Sequence, residues 1–165
     1  ALVAPKNVDM LMRQKVFTLS EIESRYHTKL EQYIKTIEIE CETLNNLING
    51  MVIPAAMTYQ ATLIEVVQGL KSLNAVVTEA SYHPEIDLLK KVTETIARLK
   101  ASQNDLMAAV EKAEVIEDLS RRAKFIADHI IPLMTKVRKP ADELENLVAD
   151  DLWPLPKYSE MLFIL

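Results

Sequence analysis

The chain has 165 residues, 49% of them hydrophobic and 26% charged, with 2 glycines, 7 prolines, one cysteine and a formal net charge of −5. So little glycine excludes sandwiches, barrels and doubly wound sheets, whose tight turns need it, and Gly50 and Gly69 stand too far apart to build a phosphate-cradling loop. The acidic balance argues against a general nucleic-acid binder, and the lone Cys41 rules out an internal disulfide framework or a cysteine zinc site.

The first residues, Ala-Leu-Val-Ala-Pro, carry neither a signal peptide nor an initiator methionine. The expectation is that something precedes them, with residues 1–19 a lead-in. Ser20 and Glu23 have the spacing of a capping box and predict a helix start. Beyond it Ile22, Tyr26, Leu30, Tyr33, Ile37, Cys41, Leu44, Ile48 and Met51 recur at steps of three and four, the signature of one helical face. Residues 43–64 carry no charge and are long enough to cross a bilayer. Asn45, Asn49, Gln60 and Pro54 suit a lipid environment poorly, so this stretch is read as a helix buried on most sides within a bundle. Apolar periodicity resumes directly after Pro54, through Leu63, Val67 and Leu70. That favours a kinked continuous helix from about 20 to 73, the alternative being two helices meeting near Asn49-Gly50.

Residues 74–83 read as a connection. His83-Pro84-Glu85 then opens a helix, with proline at the first helical position. The pattern Ile86, Leu89, Val92, Ile96, Leu99, Gln103, Leu106, Val110, Ala113 follows, and Asp118 is the expected cap of the next helix after a break at 115–118. Leu119, Ala123, Ile126, Ile130, Leu133 and Val137 form the last long stripe. Pro132 should kink it, Lys136, Arg138 and Lys139 should close it, and Pro140 should open a short new segment.

Candidate chemistry is sparse. None of His27, His83 or His129 has the Glu-x-x-His spacing of a di-iron bundle. Glu23, His27 and Glu31 share a helix face, which reads more simply as a solvated ion-paired surface than as a metal site. Cys41 reads as a small buried hydrophobe, and no loop presents a serine beside a histidine. Arg121, Arg122 and Lys124, with Lys136, Arg138 and Lys139, make a basic edge that could meet a nucleotide or amino-acid ligand, although a solvated face is the simpler reading. No catalytic, cofactor-binding or metal-ligating residue is therefore assigned. The end of the chain, residues 151–165, is almost wholly apolar or proline. Trp153, Leu155, Tyr158, Leu162 and Phe163 need an apolar partner there, either the chain's own helices or another domain or subunit.

Taken together, Glu23-Ser24-Arg25-Tyr26, the run from Leu30 to Ile37, Ile53-Pro54-Ala55, Pro132-Leu133-Met134, the run from Ala141 to Glu145 and above all Leu152-Trp153-Pro154-Leu155-Pro156-Lys157-Tyr158 with Glu160-Met161-Leu162-Phe163 resemble the C-terminal helical region of type III glutamine synthetases. Ser159 departs from the arginine associated with its position. The resemblance runs in order through nearly the whole chain. It implies a much longer cytoplasmic parent enzyme, a large oligomer that joins ammonia to glutamate with ATP and a divalent metal, Mg or Mn. Its catalytic and ligand-binding residues would lie upstream of this segment. The resulting expectation is an all-α fold, an elongated antiparallel bundle of long proline-kinked helices over residues 20–150. The segment would be non-catalytic and structural, packing through residues 151–165 on the upstream catalytic domain and neighbouring subunits, with no nucleic-acid or membrane partner. A standalone helical interaction module, supported by the near-heptad run from Ile86 to Ala113, and a regulatory ligand-sensing domain are the alternatives.

Overall fold

Residues 2–73 and 78–161 are described by this computed structural model, with Glu79, Tyr158 and Ser159 described by their backbone alone. Every regular element among the described residues is helical, as the composition requires. Residues 74–77 of the expected connection lie outside them.

Residues 1–19 are more structured than a lead-in. Helix α1 (Pro5–Arg13) begins with proline in its first turn, where a missing N–H removes nothing. It closes when Val16 N–H reaches the Leu11 carbonyl and Lys15 N–H the Met12 carbonyl, both at 3.0 Å. This pair of bonds requires a left-handed residue, and Lys15 takes that conformation at φ 51°. Holding a lysine there instead of a glycine costs on the order of 1 kcal/mol.

Helix α2 (Leu19–Leu47) starts from a different cap than Ser20 and Glu23. The Thr18 N–H donates to Glu21 Oε2 at 2.8 Å, and the Glu21 N–H donates to Thr18 Oγ1 at 3.3 Å. Thr18 and Glu21 offer the same chemistry two residues earlier, and the Lys15 turn delivers Thr18 to the cap position. The backbone bond from Thr18 holds the Glu21 carboxyl below its ordinary pKa.

The question posed by Gly50 and Pro54 resolves as unbroken helix. A π turn, Ile48–Val52, joins α2 to α3 (Ile53–Ser72), and Ile53 N–H bonds to the carbonyl of Ile48, five residues back. The same device recurs later, where α5 (Leu119–Phe125) passes through a π turn, Ile126–Ile130, into α6 (Ile131–Leu147). There Ile131 N–H bonds to the Ile126 carbonyl. Both sites read Ile-x-x-x-Val/Ile-Ile-Pro, ending at Pro54 and Pro132. A helical proline has no N–H to give and its ring crowds the carbonyl four residues back; a widened turn just before it relieves both problems.

Helix α4 (His83–Glu114) follows a short 3₁₀ turn, Glu79–Ser81. Asp118 caps α5 as expected, accepting the Arg121 N–H at 2.7 Å. Pro140 does not open a new segment, because α6 runs through it to Leu147. Val137, Pro140 and Leu144 are all buried on one face, so the ring adds apolar contact that offsets its lost hydrogen bond. Lys136, Arg138 and Lys139 consequently lie in mid-helix rather than in a final turn.

Contacts divide the chain into two units. The first comprises Ala1–Cys41 and Ala108–Pro132. Its core is Ile22, Ile34 and Cys41 from α2 with Ala113, Ala123, Ile126 and Ile130. The second comprises Glu42–Met107 and Leu133–Leu165. Its core holds Ile48, Val52, Ala56 and Leu63 with Val92, Leu99, Leu106, Val137 and Leu144. Each buried Val, Leu or Ile among them contributes roughly 1.5–3 kcal/mol through burial.

The uncharged stretch is buried along one stripe only, and Met57 and Ile64 are exposed, so it is not enclosed on most sides. The helical run Leu19–Ser72 contains one 18-residue window, of mean hydropathy 1.3, long and apolar enough by length and composition to cross a membrane.

Neither glycine is required by the backbone. Both lie in helical segments without positive φ, and a Cβ at Gly69 would meet nothing within 4 Å. Gly69→Ala should therefore raise stability by about 0.5–1 kcal/mol. Urea denaturation of the two proteins measures this, and an unchanged or lower midpoint contradicts it.

Candidate functional site

A polar cluster sits inside the second unit. Gln103, only 2% exposed, occupies a position in the apolar stripe of α4. Its Nε2 donates to Asn45 Oδ1 at 2.7 Å, and its Oε1 accepts from Lys100 Nζ at 2.9 Å. Lys100 Nζ also reaches Asn49 Oδ1 at 3.2 Å, while Asn49 Nδ2 donates to Asn45 Oδ1 at 3.3 Å. Two helices are thus tied at one register, and the chain's own groups satisfy the amide. The arrangement positions helices and leaves no reactive atom uncommitted.

Half of the basic edge is paired with carboxylates. Arg122 turns inward and pairs with Glu38, both partly buried within the first unit. Lys136 pairs with Asp105 at 2.8 Å, and Arg138 with Asp142 at 3.4 Å. In the second unit Arg98 grips Glu143 through both guanidinium nitrogens, at the wall of an open trough of about 340 Å³. That contact lowers the Glu143 carboxyl pKa, with the hydrogen bond from Arg98 the main cause. Of these pairs only Arg122–Glu38 is partly buried; the exposed ones are weak. Sequence periodicity could not reveal the pairing of Arg98 with Glu143 or Arg122 with Glu38, because each joins residues far apart in the chain.

The histidines are similarly occupied. His83 Nδ1 lies 3.1 Å from Asp87 Oδ2 on an exposed helix entry, and His129 stacks on Phe125 with ring centroids 4.4 Å apart. Among the described residues no group of three or more His, Cys, Asp or Glu is placed to hold a metal ion, the Glu23–His27–Glu31 face included.

The C-terminal residues fold back on their own unit. Val148 is buried, a 3₁₀ turn at Asp150–Leu152 lies against α3, and Trp153 is 9% exposed. Its indole Nε1 is buried without a hydrogen-bond partner among the described residues. Lys157 closes the proline-rich loop by pairing with Asp150. The Lys157 N–H donates to Glu160 Oε2 at 3.0 Å, capping the short α7 (Tyr158–Met161). Of the five apolar residues expected to seek a partner, Trp153 is enclosed by its own chain and Leu155 is half-buried. Tyr158 contributes only its backbone to the described structure, and Leu162 and Phe163 lie outside the described residues. The structure therefore brings together Trp153, Asp150 and Lys157.

Cys41 is buried at 2% exposure, and burial, with help from Glu40 and Glu38, raises its thiol pKa from 9.0 to about 11. A neutral thiol is what the fold accommodates, so this contribution to stability is full below pH 9.0 and is lost as pH rises through about 11. A disulfide reagent at mildly alkaline pH should leave the native protein almost untouched and react completely after denaturation. Prompt reaction of the native form would overturn the assignment.

Comparison with known proteins agrees in order and extent. Residues 1–71 match the protein family described as the glutamine synthetase C-terminal domain. A type-3 glutamine synthetase of Dictyostelium discoideum is 30% identical over 162 residues, covering 96% of this chain and 22% of the relative. A glutamine synthetase of Bacteroides fragilis is 27% identical over 158 residues, 93% of this chain and 21% of the relative. One from Butyrivibrio fibrisolvens is 29% identical over 163 residues, 99% of this chain and 23% of the relative. The chain thus spans little more than a fifth of the length of the curated relatives it matches.

Proposed function

We propose that this chain is the C-terminal helical domain of a type III glutamine synthetase and that its task in the parent enzyme is structural. The observation that carries this reading is the match of 96% of the chain to 22% of a type-3 enzyme. The parent would be a cytoplasmic oligomer that ligates ammonia to glutamate, with ATP and a divalent metal bound by residues upstream of this segment. The described residues offer neither a glycine-built phosphate cradle nor a clustered ligand set, so no step of that reaction is assigned to them.

What this domain supplies is surface. Its partners in this reading are the upstream catalytic domain and neighbouring subunits, with no nucleic acid and no membrane involved. The net charge of −5 supports the first of these exclusions. Residues 151–165 would be the docking segment, with a division of labour inside it. Trp153 anchors the segment to the domain, held by its own burial and by the Lys157–Asp150 pair. Leu155, Tyr158, Leu162 and Phe163 would meet the partner in this reading. Binding energy in such a patch concentrates in a few aromatic and aliphatic anchors.

Two variants of the full-length enzyme separate these roles. Leu155→Asp with Phe163→Asp should reduce the native assembly to smaller species by mass photometry while leaving each subunit folded. Unchanged assembly removes the docking role. Trp153→Ala should act on folding, costing about 3–5 kcal/mol, since it empties a space the chain itself closes. Urea denaturation monitored by circular dichroism reads this, and a loss below about 1 kcal/mol would show that Trp153 is not an anchor.

A further inference from the structure

Thirteen large apolar side chains are exposed among the described residues, and five of them, Val3, Met10, Met12, Val16 and Leu19, fall within the first nineteen positions. Helix α1 buries none of its residues, although its sequence is strongly amphipathic. A short helix that finds no core of its own should be unstable in water, because its few hydrogen bonds do not offset chain entropy. Yet its end is closed at two successive points. The left-handed Lys15 closes α1, and the Thr18–Glu21 box opens α2 three residues later. Arg25 lies over the Phe17 ring at 4.5 Å and holds the corner between them. The result is an open, largely apolar hollow of about 300 Å³, walled by Met12, Val16, Phe17 and Leu19, with Lys15, Thr18 and Glu21 completing its lining. Val16 is 54% exposed there.

We propose that this corner is a docking surface for the part of the same polypeptide that precedes residue 1 in the parent enzyme, seating one of its apolar segments against α1 and Val16–Leu19. The inference rests on the reading of the chain as a C-terminal domain. Its occupant follows from two facts on the page. The matched relatives are more than four times as long as this chain, since it spans 22% of one and 21% of another, so most of the polypeptide lies elsewhere. The exposed apolar surface is concentrated where that polypeptide would enter, and a covalently attached partner is present there at high effective concentration. The geometry suits such a joint. Docking there would supply the apolar cover that α1 lacks within its own unit.

The test uses the full-length enzyme with a photoreactive benzoylphenylalanine replacing Val16, irradiated and analysed by denaturing electrophoresis and peptide mass spectrometry. The expected result is a cross-link to a residue upstream of Ala1 with no increase in chain mass. A cross-linked species of doubled mass assigns the hollow to a neighbouring subunit and overturns the proposal, as do cross-links confined to residues 1–165. A companion measurement is hydrogen exchange. Amides of Met10–Glu21 should exchange at least tenfold more slowly in the full-length enzyme than in a fragment beginning at Ala1 whose α4 amides keep their protection. Equal exchange at the corner overturns the proposal while leaving the parent-enzyme reading intact. That reading fails separately, if an antibody to this chain detects a native species near 18.7 kDa on a denaturing blot.

Discussion

A proline inside a helix withdraws one hydrogen-bond donor and pushes its ring at the carbonyl one turn back. Both long helical runs here must carry such a proline through a stretch that lines a core. At Pro54 and at Pro132 the chain inserts a π turn first, closed by Ile53 N–H on the Ile48 carbonyl and by Ile131 N–H on the Ile126 carbonyl. Helical continuity survives. Ile48 and Val52 stay buried at the first site, and Ile126 and Ile130 at the second. Had the helices ended instead, four amides and four carbonyls would have needed new partners at each break. The burial of the second unit's core on both sides of Pro54 depends on this solution.

Packing alone does not fix how such helices slide past one another, since apolar stripes tolerate small shifts. The second unit adds a polar lock. Gln103 lies within the stripe of α4 and can satisfy its amide only where Asn45 and Lys100 meet it. A displaced register would strand a buried amide at a cost of roughly 1–3 kcal/mol. Gln60, donating to Thr93 at 2.7 Å, adds a second tie of the same kind. In the first unit Arg122 with Glu38, and Tyr26 with Ser120 at 2.9 Å, play comparable parts.

These ties also bear on function. The interhelical pairs commit the buried polar groups to holding helices together, while an apolar surface stays exposed. The α1 corner, with Met12, Val16 and Leu19 exposed, is such a surface. Exposed apolar surface of this kind is where a domain commonly meets the rest of a larger molecule. That agrees with this chain's similarity to about a fifth of the length of glutamine synthetases.

Much of the fold was legible in the residues. Two glycines required an all-helical chain, the three-and-four spacing located α2, α4 and α6, and Asp118 marked its own cap because capping is a local hydrogen bond. The ordered motifs of the last fifteen residues, read with those upstream, pointed to the family. Other features had no local signature. Thr18–Glu21 prevailed over Ser20–Glu23 because the left-handed Lys15 sets where the helix can begin. Pro140 stayed inside α6 because Val137 and Leu144 place its ring in a core that exists only after folding. The basic edge read as one patch, yet Glu38, Asp105 and Asp142 pair with three of its six cations. By itself the sequence determined helix content and the course of the long helices, since these depend on neighbours within one or two turns, and the order of its motifs pointed to the family. Tertiary structure alone decided which charges are spent, which apolar residues are enclosed and which are left for a partner, since these depend on residues that meet only once the chain has folded.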